Sequence, residues 1–128
     1  LCMGKSRLLV VEDDLDIGNM LKIYFGGMNF DVDVAVRGSD ALEKTKQVLP
    51  HLIVLDIMLP DIDGYEVARR LRANSKRELT TVPIIAVTAN ALKGDAEKAL
   101  EAGCDVYMSK PINIRELWAW VEAFVSAP

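Results

Sequence analysis

The sequence has few of the residues that build disulfide, thiolate or histidine sites. It contains two cysteines, Cys2 and Cys104, at no metal or disulfide spacing, and a single histidine, His51. His51 precedes an apolar run that we predict to be a strand, so a histidine triad or zinc site at the carboxyl end of that sheet is excluded. We interpret Cys104 as a packing residue and expect reduced thiols in a cytoplasmic protein.

Other signals are also absent. No apolar run is long enough to span a membrane, and there is no signal-peptide pattern, glycine-rich phosphate loop or Gly-x-Ser-x-Gly motif. The net charge of −4 argues against direct nucleic-acid binding, which needs a basic surface. We therefore expect no membrane or nucleic-acid partner. The length of 128 residues fits one domain. We assign 7–126 to it and expect 1–6 to be a disordered or vector-derived tail.

Short apolar runs alternate with helical patterns along the whole chain. The runs predict buried strands, and apolar residues recurring every three or four positions predict helices. Asp14 and Asn113 are expected to cap the first and last helices, and Ser39-Asp40 to open the second. The predicted strands are 8–11, 32–36, 52–55, 84–87 and 106–108. The predicted helical segments are 17–25, 39–49, 65–73, 92–100 and 114–125.

Five strands alternating with five helices predict an α/β fold, a doubly wound parallel sheet covered on both faces. The first and third strands are the most purely apolar and should be central. This favours the flavodoxin-like (βα)5 order 2-1-3-4-5, in which ligands bind at the carboxyl ends of the strands.

Polar residues follow four of the predicted strands. Glu12 and Asp13 follow the first strand, Asp56 the third, Thr88 the fourth and Lys110 the fifth. Three carboxylates at one edge repel one another unless positive charge intervenes. Lys110 supplies one charge, and a hard divalent cation such as Mg²⁺ would supply the rest. Each residue alone could be an ordinary cap or strand end, so the prediction depends on their joint occurrence.

Four motifs in this order resemble the receiver domain of two-component response regulators. They are 10–14 (VVEDD), 55–60 with 63–64 (LDIMLP and DG), 83–89 (PIIAVTA) and 103–111 (GCDVYMSKP). The resemblance extends from Leu8 to about Val125. The stretch 90–95 (NALKGD) is also similar to single-domain regulators and to the receivers of hybrid histidine kinases.

The resemblance implies a role for each matching position. Asp56 would accept a phosphoryl group from a histidine kinase or a histidine phosphotransfer protein. Asp13, Asp56 and the Met58 backbone carbonyl would bind Mg²⁺, which Mn²⁺ or Ca²⁺ could replace, and Glu12 would reach it through water. The remaining implied roles are these: Lys110 holds a phosphoryl oxygen, Thr88 bonds the attached phosphoryl group, Tyr107 turns inward with Thr88, and Pro111 follows a cis peptide bond.

Two other functions compete with this phospho-switch. A pseudo-receiver would only bind a partner, and the intact set of site residues disfavours it. A hydrolase of the haloacid-dehalogenase type is disfavoured because Asp13-Asp14-Leu15-Asp16 does not fit its motif. We therefore expect a signalling switch rather than an enzyme, a monomer or weak homodimer whose output partner the sequence does not name. Trp120, at the border of the last helix's apolar stripe, is expected to lie at the edge of a partner surface.

Overall fold

The computed structural model describes residues 5–89 and 94–126, and it confirms the predicted fold class. A five-stranded parallel sheet has the order β2-β1-β3-β4-β5. Its strands are β1 (Ser6–Val11), β2 (Phe30–Ala35), β3 (Leu52–Asp56), β4 (Ile84–Thr88) and β5 (Val106–Ser109). The helices are α1 (Leu15–Gly26), α2 (Gly38–Val48), α3 (Gly64–Arg72), α4 (Arg77–Thr80), α5 (Asp95–Ala102) and α6 (Ile114–Ser126).

The strand register brings the ends of neighbouring strands together. Val11 on β1 pairs with Leu55 on β3, so Glu12 and Asp56 follow at the same level. Asp56 in turn pairs with Val87, the residue before Thr88. The polar residues that follow separate strands in the sequence therefore share one edge of the sheet.

Both faces of the sheet are buried, which explains why its central strands are continuous apolar runs rather than alternating ones. β3, at the centre, is buried at every position, with β1 and β4 as its neighbours. One face packs against α2, α3 and α5, and the other against α1 and α6. The side chains of Phe25, Leu117 and Val121 fill the second layer. β2 lies at the edge, as its alternating sequence predicts.

Two predicted helix caps are confirmed and one prediction is wrong. Asp14 Oδ1 accepts hydrogen bonds from the backbone of Asp16 and Ile17, and Asn113 Oδ1 accepts from Arg115 and Glu116. α2, by contrast, begins at Gly38, and the Ser39-Asp40 pair does not open it. The Ser39 hydroxyl donates instead to Asp61, in the loop between β3 and α3.

Three further predictions need correction. β1 begins at Ser6, inside the expected tail. α4 is an additional short helix, held by Leu79 in the core and by hydrogen bonds from Arg72 to the carbonyls of Leu79 and Thr80. Leu100, the last apolar residue of the predicted helical segment 92–100, does not face the core and is 56% exposed, because α5 turns Ala99 and Ala102 inward. Residues 1–4, which include Cys2, and residues 90–93, which include Leu92, lie outside the described residues.

Candidate functional site

The acidic residues predicted to converge lie together at the carboxyl edge of the sheet. One carboxylate oxygen from each of Glu12, Asp13 and Asp56 lies within 4.8 Å of the other two. Glu12 and Asp56 are each only 3% exposed, whereas Asp13 is exposed. The cluster is therefore a partly buried site with one side open to solvent.

Lys110 is the cation that faces this cluster. Its Nζ lies 2.9 Å from Glu12 Oε1 and 3.3 Å from Asp56 Oδ2. Its backbone N–H donates to the Thr88 carbonyl at 2.7 Å, which fixes the start of the β5–α6 loop beside β4. The peptide bond between Lys110 and Pro111 is cis. One ammonium is thus shared between two buried carboxylates.

The electrostatics of the cluster are those of a site with too little positive charge. Burial, followed by a hydrogen bond with Asp56, raises the pKa of Glu12 to about 7, against the lowering effect of Lys110. Burial alone would lower the pKa of Lys110, but its contacts with Glu12 and Asp56 raise it above the usual value. Oxygen ligands in excess of cationic partners fit a hard divalent cation such as Mg²⁺.

The loop after β3 brings the backbone of Met58 to the site. The Met58 N–H donates to Asp56 Oδ1 at 3.1 Å, while its side chain is exposed. Gly64 closes the loop, and its N–H donates to the Ile57 carbonyl at 3.0 Å. A Cβ at Gly64 would lie 2.6 Å from the Asp56 carbonyl oxygen. Only glycine therefore allows α3 to begin this close to the acidic residue.

Thr88 and Tyr107 lie on adjacent strands next to the cluster. Thr88, at the end of β4, is buried. Tyr107 on β5 pairs with Ala86 and packs against the core face that contains α3 and α5. Its hydroxyl is buried and has no hydrogen-bond partner among the described residues. Burial, and then the charge of Asp95, raises the pKa of this phenol.

The other residues singled out in the sequence lie apart from this edge. Trp120 is 40% exposed on α6 and stacks on Phe124, with ring centroids 6.1 Å apart. Phe124 itself packs against the core. Cys104 is buried, and burial raises the pKa of its thiol to about 11. His51 lies in the loop before β3, and its Nδ1 accepts the Arg7 N–H at 2.9 Å.

One contact beside the site had no signal in the sequence. Ser39 and Asp61 are 22 residues apart, and neither belongs to a motif or an apolar period. They meet because α2 packs beside the β3–α3 loop.

Comparisons with known proteins agree with this geometry. The family model of the response regulator receiver domain matches residues 8–122. Over 119 residues the chain is 41% identical to the DNA-binding response regulator MtrA of Mycolicibacterium smegmatis, covering 93% of the chain and 50% of MtrA. It is 38% identical over 121 residues to hybrid signal transduction histidine kinase I of Dictyostelium discoideum, covering 91% of the chain and 7% of the kinase. The chain thus spans about half of the length of MtrA.

Solved structures show the same fold. The receiver domain of the sensor histidine kinase PA1611 from Pseudomonas aeruginosa, with a magnesium ion in its active-site cleft, superposes with a TM-score of 0.85 at 31% identity, covering 97% of this chain and 99% of that one. The BeF3-activated receiver domain of Klebsiella pneumoniae RstA gives a TM-score of 0.85 at 30% identity, covering 95% of this chain and all of that one. Within residues 5–89 and 94–126, no helix is both long and apolar enough to cross a bilayer.

Proposed function

Because this chain belongs to the response regulator receiver domain family, whose members are phospho-accepting switches in two-component signalling, we propose that Asp56 is its phosphoryl acceptor. The observation that carries the proposal is the position of Asp56, buried at the end of β3 between two further carboxylates and Lys110. A carboxylate oxygen of Asp56 would bond to phosphorus as the bond to the donor's imidazole nitrogen breaks. The donor would be a histidine kinase or a histidine phosphotransfer protein.

The same residues fit a Mg²⁺ site. Asp13, Asp56 and the Met58 backbone carbonyl would hold the ion, and Glu12 would reach it through water. The ion supplies charge neutralisation for phosphoryl transfer, a reaction that depends on positioning and electrostatics more than on covalent chemistry. The Lys110 ammonium already donates a hydrogen bond to Asp56 and would hold a phosphoryl oxygen. Mn²⁺ and Ca²⁺ share the preference for oxygen ligands and could replace Mg²⁺.

Thr88 and Tyr107 are the proposed switch. Thr88 ends the strand next to Asp56 and would hydrogen-bond the attached phosphoryl group. The inward position of Tyr107 leaves its hydroxyl buried without a partner among the described residues, which is unfavourable by itself. A small rearrangement near Thr88 can therefore shift the balance between inward and outward positions of this ring.

Acetyl phosphate with Mg²⁺ tests the proposal. We expect the intact protein to gain one phosphoryl group on Asp56 and to lose it slowly, so that it catalyses only its own phosphorylation and dephosphorylation. Asp56→Asn should gain none, and Asp31→Asn, at an exposed carboxylate on β2, should behave as the unmodified protein. Many turnovers would indicate a hydrolase, and a complete lack of reaction would indicate a pseudo-receiver.

The surface of α5, β5 and α6 is the proposed reporter of phosphorylation. It carries two large exposed apolar side chains, Leu100 and Trp120, and Tyr107 lies between the two helices in the sequence order. Exposed aromatic side chains are enriched at protein interfaces. We expect phosphorylation to change hydrogen exchange around Trp120 more than in α2, and the opposite pattern would exclude this surface. A second copy of the chain, giving a weak dimer, or a separate output protein would bind there.

A further inference from the structure

The β3–α3 loop, residues 57–63, is held at its base by the sheet. The Ile57 N–H donates to the Val87 carbonyl at 3.0 Å, and the Ile57 carbonyl accepts the N–H of Gly64 at 3.0 Å. The same carbonyl accepts the Leu59 N–H at 3.1 Å. These contacts fix both ends of the loop but leave residues 60–62 to be placed by something else.

The tip of the loop is held by α2. The Asp61 carboxylate accepts the Ser39 hydroxyl through Oδ2 and the Ser39 N–H, at 3.3 Å, through Oδ1. Oδ1 also accepts the N–H of Ile62. These bonds, which we call the Ser39–Asp61 latch, hold Asp61 in the left-handed conformation, with φ of 61°. Asp tolerates this conformation better than most residues but does not prefer it.

The two backbones also meet without any side chain between them. A Cβ at Gly38, the first residue of α2, would lie 2.2 Å from the carbonyl oxygen of Ile62. Gly38 therefore allows the loop tip to lie directly on the first turn of α2. The latch lies next to this contact, one residue after Gly38 on α2 and one residue before Ile62 in the loop, where it can keep these surfaces together.

We propose that Ser39 and Asp61 are positioning residues for the metal-dependent reaction. Met58, whose carbonyl is a proposed Mg²⁺ ligand, lies three residues before Asp61, in the turn that the Leu59 N–H closes on the Ile57 carbonyl. Neither Ser39 nor Asp61 belongs to the acidic cluster, so they act through the path of the loop. Releasing the tip would let the Met58 carbonyl move away from the orientation that Asp13 and Asp56 require. This inference rests on the proposed function.

The test is the Mg²⁺ dependence of phosphorylation by acetyl phosphate in the full chain. Ser39→Ala removes the hydroxyl, and Asp61→Gly removes the carboxylate while keeping the left-handed backbone favourable. Each should raise the Mg²⁺ concentration for half-maximal rate by roughly two- to ten-fold, the range given by the loss of one hydrogen bond. The rate at saturating Mg²⁺ should stay within about two-fold, as expected for a defect in ligand binding. The double variant should need no more Mg²⁺ for half-maximal rate than the more strongly affected of the two single variants.

Two control variants separate the latch from the effect of charge. Asp61→Asn loses the charge, yet its amide can accept the two N–H groups and donate to the Ser39 hydroxyl. Asp61→Asn should therefore keep most of the Mg²⁺ affinity that Asp61→Gly loses. Asp40→Asn removes an exposed carboxylate from the same turn of α2 and should bind Mg²⁺ as the unmodified protein does. Melts without Mg²⁺ show whether a variant has lost stability in general. The Tm increase on adding Mg²⁺ reports binding apart from the reaction, and it should be smaller in Ser39→Ala and Asp61→Gly than in the unmodified protein.

Each alternative result has a distinct meaning. If Ser39→Ala and Asp61→Gly keep the normal Mg²⁺ dependence, the latch has no positioning role, although the proposed function stands. If Asp61→Asn and Asp40→Asn are weakened as much as Asp61→Gly, long-range charge is responsible and the inference is overturned. If the unmodified protein is phosphorylated without any Mg²⁺ dependence, the proposed metal site fails and the inference fails with it.

Discussion

Replacing Asp56 by Asn should stabilise the Mg²⁺-free protein, although the residue lies in the middle of the site. With an effective dielectric constant of about 20, two carboxylates within 4.8 Å repel by about 3.5 kcal/mol. Asp56 faces two such neighbours, of which Asp13 is exposed and more strongly screened. Its attraction to Lys110 at 3.3 Å is about 5 kcal/mol on the same scale.

These Coulomb interactions nearly cancel, and the desolvation of a buried carboxylate then decides the sign. That penalty is several kcal/mol, and the Met58 N–H offsets only part of it. The neutral amide avoids the penalty, can still accept from Met58 and can donate to Glu12. We expect a gain of about 2 kcal/mol in the free energy of unfolding, or a rise in Tm of roughly 6–10 °C for a chain of this size.

The assay is urea and thermal unfolding without Mg²⁺ at pH 8, above the Glu12 pKa of about 7, so that Glu12 is mostly charged. Asp31→Asn is the matched control and should change the free energy of unfolding by less than about 0.5 kcal/mol. The stabilisation by Asp56→Asn should shrink as Mg²⁺ is added, because the unmodified protein gains more from the ion. A variant that is less stable than the unmodified protein at pH 8 would refute the reasoning, since Lys110 would then outweigh repulsion and desolvation together.

Three further predictions concern single side chains. Asp13→Asn should lower the Tm increase that millimolar Mg²⁺ gives, and a thermal melt of the unmodified protein that does not respond to Mg²⁺ would contradict the site. Met58→Asn should shorten the phosphoryl lifetime, because an amide can orient the attacking water and a thioether cannot. An unchanged rate of loss of the phosphorylated mass would contradict this. Burial and Arg7 lower the pKa of His51, so the folded state binds fewer protons there than the unfolded chain. The stability from neutral His51 is therefore present above its unfolded pKa near 6.5 and lost as the pH falls through the lower folded pKa. His51→Gln should remove this part of the acid sensitivity, less than about 1 kcal/mol because the residue is exposed, in urea midpoints at pH 5 and 8.

The residues alone predict the strand order and the edge of the sheet at which the site lies. Short continuous apolar runs such as 52–55 are typical of strands buried on both faces, and their alternation with helices leaves few possible topologies. Because parallel strands end at one edge, the residues that follow them must converge. Glu12, Asp13, Asp56 and Lys110 are polar residues at or just after the ends of such strands, and their proximity can be predicted without knowledge of side-chain packing.

Which side chains meet away from this edge depends on how the complete helices and strands pack together. The apolar period of α5 made Leu100 a core candidate, but the short helix turns Ala99 and Ala102 to the sheet, because its orientation depends on what α3 and β5 leave open. The Ser39–Asp61 contact likewise has no local signal, since it depends on the distance between the first turn of α2 and the β3–α3 loop, which strand register and helix packing set. Periodicity indicates which face of a segment is apolar, whereas contacts between a helix end and a loop depend on where complete segments come to lie.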